Sequence, residues 1–483
     1  MVSSGMISSG YLIPPEKLQV WYQKGFVAPL AVRFEMERDP WEIAKRLMRR
    51  APEAFFLDSG RFRERTARYS YLGWKPFRMF RLQRSSDPTE RLRQLFSVYR
   101  GRTWNELPCF TGGAVGYFSY ELARAFERFR DSTKDDLHMD WIRLLFVRDL
   151  LVFDGKNNSC FLIANLIPQE DGSFARAFRR AARRLEEIGI EATAAQRGNG
   201  EVSSRRLRIR SFRADVSKRR FKHMVRRAKE YTASGDIYQA NLSQRFSFAF
   251  EGEAEALYDA LRRINPSPFS SFLKMGPLVV ASVSPERLIK LNGNRCETRP
   301  IAGTRPRGTT PAQDRLLRRD LLMSPKERAE HIMLVDLERN DLGRVSEPES
   351  VRESELMTLE KYSHVVHIVS NITGRLRREC DRFDLIRAVF PGGTITGCPK
   401  IRSMDIIEEL EPFKRHLYTG SIGYLDFNGN MDLNIVIRSL ILWRGRGYLQ
   451  VGAGIVYDSD PEAEYWETLY KGKALIDALC LNA

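Results

Sequence analysis

Residues 420–457 decide the fold class, because three strand-like stretches follow one another there with no helix between them. They are "GSIGYLDF" (420–427), "NIVIRSLILW" (434–443) and "YLQVGAGIVY" (448–457), and they are rich in β-branched and aromatic residues. Residues of these types favour strands. Because this order is not the regular strand–helix alternation of a doubly wound sheet, the stretch predicts an α+β fold with large antiparallel sheets.

Strand-like segments continue on both sides of this stretch. Four lie in the first part of the chain, "AFFLDS" (54–59), "YSYLGW" (69–74), "GGAVGYFSYEL" (112–122) and "LLFVRDLLVFDG" (144–155), and two lie later, "YQANLSQRFSFAF" (238–250) and "PLVVASV" (277–283). "EAEALYDALRRIN" (253–265) has helical spacing and ends before Pro266. The small, polar segment 192–204 separates the two parts. We therefore predict an N-terminal domain (1–191), a linker (192–214) and a second, catalytic domain (215–483).

The composition limits the class of protein. The 483 residues are 43% hydrophobic and 29% charged, as in soluble globular proteins. No apolar run approaches the roughly 20 residues of a membrane span, and no basic segment followed by an apolar core marks a secretory signal. The six cysteines are scattered without a CxxC pair, which argues against a disulfide framework and a zinc site. We expect a cytoplasmic protein without a membrane partner.

A formal net charge of +17 raises nucleic acid as a possible partner. Much of the surplus lies in one stretch around residues 176–229, which lacks the glycine-framed aromatic pattern of an RNA-binding sheet. A solvated helix and linker explain that stretch better, so we expect no nucleic-acid partner. The absence of salt-dependent binding to DNA or RNA in a filter assay would confirm this expectation.

The segment "RPIAGTRPRG" (299–308) is a candidate anion-binding loop. It places three arginines among two glycines and two prolines. Pro300 and Pro306 lack a backbone donor, and Gly303 and Gly308 permit positive φ, so a tight turn is expected instead of a regular strand. Such a turn can present N–H and guanidinium groups to an anion. A solvated basic loop is the alternative.

Carboxylates on two predicted helices suggest a site for a hard cation. Glu330 lies in a helix that Ser324 and Pro325 open, and a second helix begins at residues 460–461. In the second helix Glu464, Glu467 and Lys471 share one face. An exposed ion pair between Glu467 and Lys471, worth about 0.3 kcal/mol, is the simpler interpretation. Two glutamates from two helices would alternatively bind Mg²⁺, which fills its other positions with water and substrate oxygens.

Two further features suggest an anionic substrate. Gly452 and Gly454 bracket Ala453 just before the second helix, which leaves backbone N–H groups open to an anion, although a bulge or close packing would also need glycine. Arg438 lies within an apolar run and needs a partner, for which a substrate carboxylate is suitable. His367, three residues after His364, has no cysteine nearby and is expected to form hydrogen bonds, not to bind zinc.

Between residues 215 and 475 these segments form seven ordered motifs. They are "GDIYQANLSQRF", "SPERL", "RPIAGTRPRG", "KERAEHIMLVDLERNDLGRV", "PGGTITGCPK", "IRSL" and "QVGAGIVYDSDPEAEYWETLYK". Together they resemble the chorismate-utilising enzymes, the family that includes anthranilate synthase component I, aminodeoxychorismate synthase component I, and the isochorismate and salicylate synthases.

The resemblance implies an anthranilate-synthase-like α+β sandwich of large antiparallel sheets, with outer helices and a central cleft for chorismate and Mg²⁺. It implies Mg²⁺ on Glu330 and Glu467, with Glu464 close by. Glu286 takes the family's general-acid position, and His367 and Thr394 resemble the residues that flank the ring. The implied contacts to the substrate carboxylates are Gly303, Thr304, Tyr418, Arg438, Gly452, Ala453, Gly454 and Lys471.

The residue at position 239 separates subclasses within the family. Isochorismate and salicylate synthases have a lysine there, the general base that activates water. Gln239 cannot take a proton at neutral pH, so the resemblance implies amination by ammonia and disfavours hydration.

Two aminating subclasses compete. The segments "GYFSYEL" (116–122), "FLDSG" (56–60), "YQANLSQ" (238–244) and "EPFKRHLYTGSIGYLD" (411–426) resemble aminodeoxychorismate synthase component I, which makes 4-amino-4-deoxychorismate for p-aminobenzoate and folate synthesis. Ala302 departs from that subclass, in which a lysine is proposed to attack C2 covalently. Anthranilate synthases have alanine there, so anthranilate synthase component I, which converts chorismate to anthranilate and pyruvate for tryptophan synthesis, is the alternative.

The resemblance also implies a partner and a regulatory pocket. The chain has no recognisable glutaminase domain, so a separate glutamine amidotransferase subunit is expected to supply ammonia. In anthranilate synthase the N-terminal domain holds the tryptophan feedback site. The residues of this chain that would line such a pocket are Ser59, Pro268, Phe269 and Ser270.

Overall fold

Two β-sheets, of 13 and 10 strands, form the centre of the molecule. The computed structural model describes residues 10–36, 38–49, 51–60, 68–198, 208–361 and 365–480, with Cys480 described by its backbone alone. Helices cover the sheets: α1 (Pro15–Gln23), α2 (Pro40–Met48), α3 (Pro88–Ser97), α4 (Pro168–Asp171), α5 (Phe174–Arg197), α6 (Lys218–Ala233), α7 (Ala254–Ile264), α8 (Pro311–Met323), α9 (Pro325–Gly343), α10 (Arg382–Val389), α11 (Lys400–Leu410) and α12 (Pro461–Cys480).

The larger sheet, here called sheet A, runs through strands from both ends of the described chain. Its strands in spatial order are β10 (Arg208–Ala214), β11 (Gln239–Glu251), β23 (Arg446–Ile455), β22 (Ser439–Trp443), β13 (Leu278–Ser284), β12 (Phe269–Met275), β2 (Glu53–Asp58), β3 (Tyr69–Trp74), β8 (Asp149–Asp154), β9 (Ser159–Leu166), β1 (Phe26–Phe34) and β5 (Arg100–Gly101), with β19 (Gly397–Cys398) beside β11.

The smaller sheet, sheet B, is built in the same way. Its order is β16 (Ile301–Pro306), β18 (Val365–Arg375), β15 (Arg295–Arg299), β14 (Arg287–Asn292), β21 (Met431–Asn434), β20 (Ser421–Asp426), β6 (Gly113–Phe118), β7 (Ile142–Val147) and β4 (Arg78–Leu82), with β17 (Arg352–Lys361) beside β18. Among the described strands every pair is antiparallel except β1 with β5. The predicted α+β fold with large antiparallel sheets is confirmed.

The expected linker of 192–214 is partly regular structure. Helix α5 continues to Arg197, and β10 pairs with β11 at the edge of sheet A, whereas 199–207 lie outside the described residues. Both sheets also take strands from either side of this segment, so the two halves share their hydrogen-bonded ladders. The division into domains of 1–191 and 215–483 stays a prediction about the chain, and in space the halves are interleaved.

One predicted strand was wrong in a way that matters for the site. "NIVIRSLILW" forms the end of β21 in sheet B and all of β22 in sheet A, and the chain crosses between the sheets over residues 435–438. Arg438 lies at this crossover with φ +50°, and not inside a strand. A run of β-branched residues satisfies both the strands and the buried link between the sheets, so composition alone does not mark the crossover.

The segment "RPIAGTRPRG" was also predicted wrongly as a turn. It forms the end of β15 and then the edge strand β16, whose pairing with β18 shifts register between Ala302 and Thr304. Gly303 supplies the positive φ of +67° at this bulge. The prolines are tolerated because Pro300 lies between the two strands and Pro306 ends an edge strand.

The arginines of this segment bind carboxylates of the same chain. Arg299 donates to Glu355 at 2.7 Å, Arg305 donates to Glu327 at 2.9 Å, and Arg307 donates to Asp314 at 2.6 Å. These pairs join the end of β15 to β17, and they hold β16 and the residue after it against α9 and α8. The guanidinium groups therefore have a structural role, contrary to the expected role in anion binding.

The predicted helix starts are confirmed. Ser324 accepts a hydrogen bond from the Glu327 amide at the start of α9. Asp460 accepts from the amides of Glu462 and Ala463 at the start of α12. Each start has a proline in the first turn, where its missing N–H costs nothing. No helix in the described ranges is long and apolar enough to cross a membrane.

A buried ion pair between Arg415 and Glu411 fixes sheet A to the turn at 393–395. Its Nη2 and Oε1 atoms are 2.7 Å apart, and the two side chains are 1% and 2% exposed. Arg415 also donates to the carbonyls of Ile395 and Asn241. Glu411→Ala leaves the guanidinium uncompensated, so we expect it to lower the free energy of unfolding by about 3–5 kcal/mol.

Denaturant unfolding would test this expectation, with Asp477→Ala as the matched control. Asp477 pairs with Lys473 on exposed α12, and its loss is expected to cost under about 0.5 kcal/mol. Equal losses in the two variants would contradict the assignment of Arg415 and Glu411 as a key buried contact.

Candidate active site

Two of the predicted site residues meet where the start of β11 in sheet A faces helix α9, which packs on β16 and β18 of sheet B. Gln239, the first residue of β11, donates from Nε2 to Glu330 Oε1 at 3.0 Å. Gln239 is buried, and β19 pairs with it on its other side. This hydrogen bond joins two of the predicted residues across elements that are far apart in the chain.

The Glu330 carboxyl lies in a partly desolvated position. Burial raises its pKa above the usual value, and the negative charge of Glu327 acts in the same direction. The hydrogen bond from Gln239 and the charges of Lys471 and Lys326 oppose that rise because they stabilise the ionised form. A cation at this carboxylate would replace the lost solvation.

The two carboxyls predicted on α12 differ in their environments. Glu464 is buried, its pKa is raised by burial, and its Oε2 has no hydrogen-bond partner among the described residues. Glu467 is 48% exposed and pairs with Lys471 at 2.8 Å. The Lys471 ammonium also lies 3.4 Å from the Gly452 carbonyl oxygen. The structure thus contains the simple ion pair that was the alternative for Glu467.

These carboxyls fit a magnesium site of low protein coordination. In the described part of the chain no three His, Cys, Asp or Glu side chains lie close enough together to hold a metal ion. Mg²⁺ commonly uses one or two protein carboxylates and fills its other positions with water and substrate oxygens. Glu330 and the unpartnered oxygen of Glu464 match that requirement, and the magnesium site stays a prediction.

Glu286 lies at a second crossover between the sheets, where β13 of sheet A ends and β14 of sheet B begins. It is 4% exposed, and burial raises its pKa to about 7. The Thr394 hydroxyl, the Ile301 amide at 3.4 Å and the charge of Arg438 oppose the rise. A carboxyl that is half protonated near neutral pH is suited to act as a general acid.

The two crossovers lie side by side, which brings Arg438 towards Glu286. The Ile435 amide donates to the Glu286 carbonyl at 3.0 Å, and the Val283 amide donates to the Arg438 carbonyl at 3.1 Å. Sequence reasoning had explained Arg438 by the cost of a charge within a strand. The structure instead places Arg438 at the junction of the two sheets, beside Glu286, and this position explains why a charged residue occurs in an apolar segment.

His367 and Thr304, which were predicted for different parts of the site, lie next to each other at the edge of sheet B. The Thr304 hydroxyl lies 2.8 Å from His367 Nδ1, and the two residues are paired in the ladder of β16 and β18. The register shift at Gly303 places Thr304 opposite His367. A larger residue at position 303 would be too close to α9, because a Cβ there would lie 2.8 Å from Glu327 Oε2. His364 lies outside the described residues.

The glycines of β23 leave room for side chains of the site. A Cβ on Gly452 would lie 2.7 Å from both the Tyr418 hydroxyl and Asn241 Oδ1, and one on Gly454 would lie 2.1 Å from Gln239 Nε2. Ala453 between them is buried on the other face of the strand. Close approach is therefore one reason for glycine here, as the packing alternative expected.

Position 302 carries no nucleophile, and the strand buries it. Ala302 is 7% exposed and pairs with Ile368 in β18. Its methyl group is part of the wall of sheet B.

The four residues predicted for a regulatory pocket surround one cavity of about 260 Å³. Ser59 comes from the end of β2, and Pro268, Phe269 and Ser270 come from the start of β12. Arg287 also lines the cavity. The residue next to the candidate acid Glu286 therefore faces this second cavity. The ligand of the cavity stays a prediction.

The Arg287 guanidinium shapes that cavity, and sequence reasoning missed it. It donates to Asp432 at 2.9 and 3.0 Å and to Glu297 at 3.0 Å, and it lies 4.9 Å from the Phe269 ring centroid. The one available signal was its place in "SPERL", immediately after Glu286.

Comparisons with known proteins agree with this geometry. A model of the chorismate binding enzyme family matches residues 52–477. Aminodeoxychorismate synthase component 1 of Bacillus subtilis (strain 168) is 43% identical over 404 residues, which are 83% of this chain and 84% of that protein. Anthranilate synthase component 1 of Acetivibrio thermocellus is 39% identical over 444 residues, 88% of this chain and 90% of that protein.

A solved structure extends the match to the fold. Anthranilate synthase component I from Streptococcus pneumoniae TIGR4 aligns with a TM-score of 0.75 at 34% identity, over 86% of this chain and 93% of that chain. The resemblance predicted from the seven motifs is confirmed. The chain belongs to the family of chorismate binding enzymes.

Proposed function

We propose that this protein is a Mg²⁺-dependent enzyme that aminates chorismate with ammonia to give 4-amino-4-deoxychorismate, for p-aminobenzoate and folate synthesis. The observation that carries the proposal is the hydrogen bond of 3.0 Å from the Gln239 amide to Glu330. An amide in this position is not a base for activating water. Ammonia is itself a nucleophile and needs no such base.

Glu286 is the proposed acid for loss of the C4 hydroxyl. Its carboxyl, with a pKa of about 7, donates a proton to the departing oxygen, and the Ile301 amide helps to orient that carboxyl. Mg²⁺, when bound to Glu330 and the α12 carboxylates, would neutralise a substrate carboxylate. Arg438, Lys471 and Tyr418 are the proposed contacts to the remaining anionic and polar groups of chorismate.

Two observations support amination at C4. The segments "GYFSYEL", "FLDSG" and "YQANLSQ" resemble the aminodeoxychorismate synthases, and the relative that bears that name is 43% identical. Because Ala302 has no nucleophile, ammonia itself, or another group, must attack in this chain.

Amination at C2 is the second candidate, and Ala302 favours it. Direct attack of ammonia at C2 followed by loss of pyruvate gives anthranilate and needs no covalent intermediate at position 302. Relatives named anthranilate synthase component 1 are 38–41% identical, close to the 43% of the first relative. Inhibition by tryptophan, bound in the cavity of about 260 Å³, would support this candidate.

A glutamine amidotransferase subunit is the proposed source of ammonia. The names of the relatives describe them as component 1, which supports a second component. On this proposal the isolated chain uses ammonium well and glutamine poorly. Equal use of the two nitrogen sources by the isolated chain would contradict the proposed subunit.

The products of the reaction test the two candidates directly. The purified chain is incubated with chorismate, Mg²⁺ and ammonium, and products are followed by liquid chromatography with mass detection and by a pyruvate assay. We expect an aminated product that keeps its enolpyruvyl group and yields p-aminobenzoate only after a lyase is added. Anthranilate with stoichiometric pyruvate would establish C2 amination instead, and unreacted chorismate would overturn both.

A further inference from the structure

We propose that Glu338 is a positioning residue that ties together the two backbone segments holding Glu286. Glu338 is not among the predicted site residues. The inference rests on the proposed function, because it concerns the acid of the proposed reaction. Its support comes from the contacts of a single buried carboxyl.

Both oxygens of Glu338 hold backbone segments at the site. Glu338 is 2% exposed and lies on α9, two turns after Glu330. Its Oε2 accepts a hydrogen bond from the Thr298 hydroxyl at 3.0 Å, and its Oε1 accepts from the Gly393 amide at 3.3 Å. Thr298 belongs to β15, and Gly393 begins a short 3₁₀ turn that ends at Ile395.

These two segments are the ones that contact Glu286. Three residues after Thr298, the Ile301 amide lies 3.4 Å from Glu286 Oε1. Immediately after Gly393, the Thr394 side chain lies close enough to the same carboxyl to lower its pKa, although its hydroxyl has no hydrogen-bond partner among the described residues. Glu338 therefore ties together the two segments that lie beside the acid.

A carboxyl in this position is costly to the fold. Glu338 forms no ion pair with any described residue, and the nearby Lys400 binds Asp341 and the Val389 carbonyl instead. Burial, reinforced by the charge of Asp341 and opposed by that of Lys400, raises the pKa of Glu338 to about 7. A neutral side chain would fill the space without that desolvation cost. The presence of an acidic residue at position 338 is thus best explained by a role at the site.

The charge of Glu338 also acts on the acid itself. The charged groups that face Glu286 are Glu338, which raises its pKa, and Arg438, which lowers it. Asp341 and Lys400 face Glu338. When ionised, Glu338 thus helps Glu286 to keep its proton.

Four variants of the full chain separate the tether from the charge. Glu338→Ala removes both, Glu338→Gln keeps an amide that bonds to Gly393 and Thr298, Thr298→Val removes one hydrogen bond, and Thr298→Ser keeps it. We measure kcat, KM for chorismate and the pH dependence of kcat with ammonium and Mg²⁺, together with thermal unfolding.

The proposal expects a graded loss in kcat. Glu338→Ala lowers kcat by about 30- to 100-fold, as misplacement of a reacting group does, while KM changes less than about twofold. Thr298→Val lowers kcat in the same direction, and Thr298→Ser matches the unchanged chain. Glu338→Gln recovers most of kcat. The alkaline limb of its pH–kcat profile moves to lower pH, because Glu286 loses its proton more readily without the Glu338 charge.

Two results would overturn the proposal. One is a Glu338→Ala variant that folds and keeps kcat within twofold. The other is a loss of kcat that comes with a raised KM and a lowered thermal stability in every variant, without recovery in Glu338→Gln. If Glu338→Ala does not fold, Thr298→Val against Thr298→Ser decides, and equal kcat in this pair overturns the tether.

A separate measurement distinguishes this failure from failure of the proposed function. If the unchanged chain does not aminate chorismate, the proposed function is wrong. The Glu286 carboxyl can then be titrated by ¹³C NMR of glutamate-labelled protein, assigned by the signal that Glu286→Gln removes. A lower Glu286 pKa in Glu338→Gln supports the proposed effect of Glu338 on Glu286, and an unchanged Glu286 pKa overturns that effect.

Discussion

Glu286→Gln is expected to lower kcat by about 10²- to 10⁴-fold, the usual contribution of a general acid. The amide keeps the shape of the buried side chain and removes the proton that the C4 oxygen needs. KM for chorismate should change little, because Glu286 assists only when the carbon–oxygen bond breaks. Steady-state kinetics with ammonium and saturating Mg²⁺ measure both constants.

The pH dependence of the same reaction gives an independent check. Burial raises the pKa of Glu286 to about 7, so the protonated, active form is complete well below pH 7 and is lost as pH rises through that value. The kcat/KM of the unchanged chain should fall on the alkaline side with this pKa, and the residual activity of Glu286→Gln should lack that limb. An alkaline limb that survives in the variant would assign the acid to another group.

Glu330→Ala is expected to lower turnover by more than about 100-fold in saturating Mg²⁺. Removal of a proposed metal carboxylate weakens binding of the ion and of the substrate carboxylate that the ion would hold. Glu330 is desolvated and accepts a hydrogen bond of 3.0 Å from Gln239, so its loss removes the buried carboxylate that is proposed to bind the ion. Chelation should likewise stop the unchanged chain, and added Mg²⁺ should restore it.

Asp336→Ala is the matched control for this prediction. Asp336 lies on the same helix, its side chain is 64% exposed, and it pairs with Arg339. It should keep full activity. Calorimetry of Mg²⁺ binding in the presence of chorismate gives a readout besides turnover. Full turnover by Glu330→Ala would remove the magnesium assignment.

Local patterns predicted several of the elements of this fold. The helix starts at Ser324 and Asp460 and the long strand β11 were predictable because capping residues and alternation act within a few positions. The crossover at residues 435–438 was not predictable. Its side chains are as apolar as those of a strand, and only the position of the second sheet decides where the chain leaves the first.

Some features of the candidate site were likewise predictable from the sequence, and others were not. Gln239 and Glu330 were identified from motifs, but their hydrogen bond depends on how α9, which packs on β16 and β18 of sheet B, lies relative to the start of β11 in sheet A. The arginines of "RPIAGTRPRG" had suggested an anion site because sequence shows their charge without the carboxylates that neutralise it. Glu338 was overlooked because an acidic residue two turns from Glu330 has the same pattern as a solvated helix face.

The adjacency of Glu286 and Arg287 makes the link between β13 and β14 intolerant of length changes. Glu286 serves the active site, while Arg287 lines the second cavity. Successive residues of extended chain point to opposite sides, so inserting or deleting one residue in this link would exchange them. An arginine would then face the departing hydroxyl, and a glutamate would replace the cation in the other chamber. We therefore expect this link to tolerate substitutions but no gain or loss of a residue.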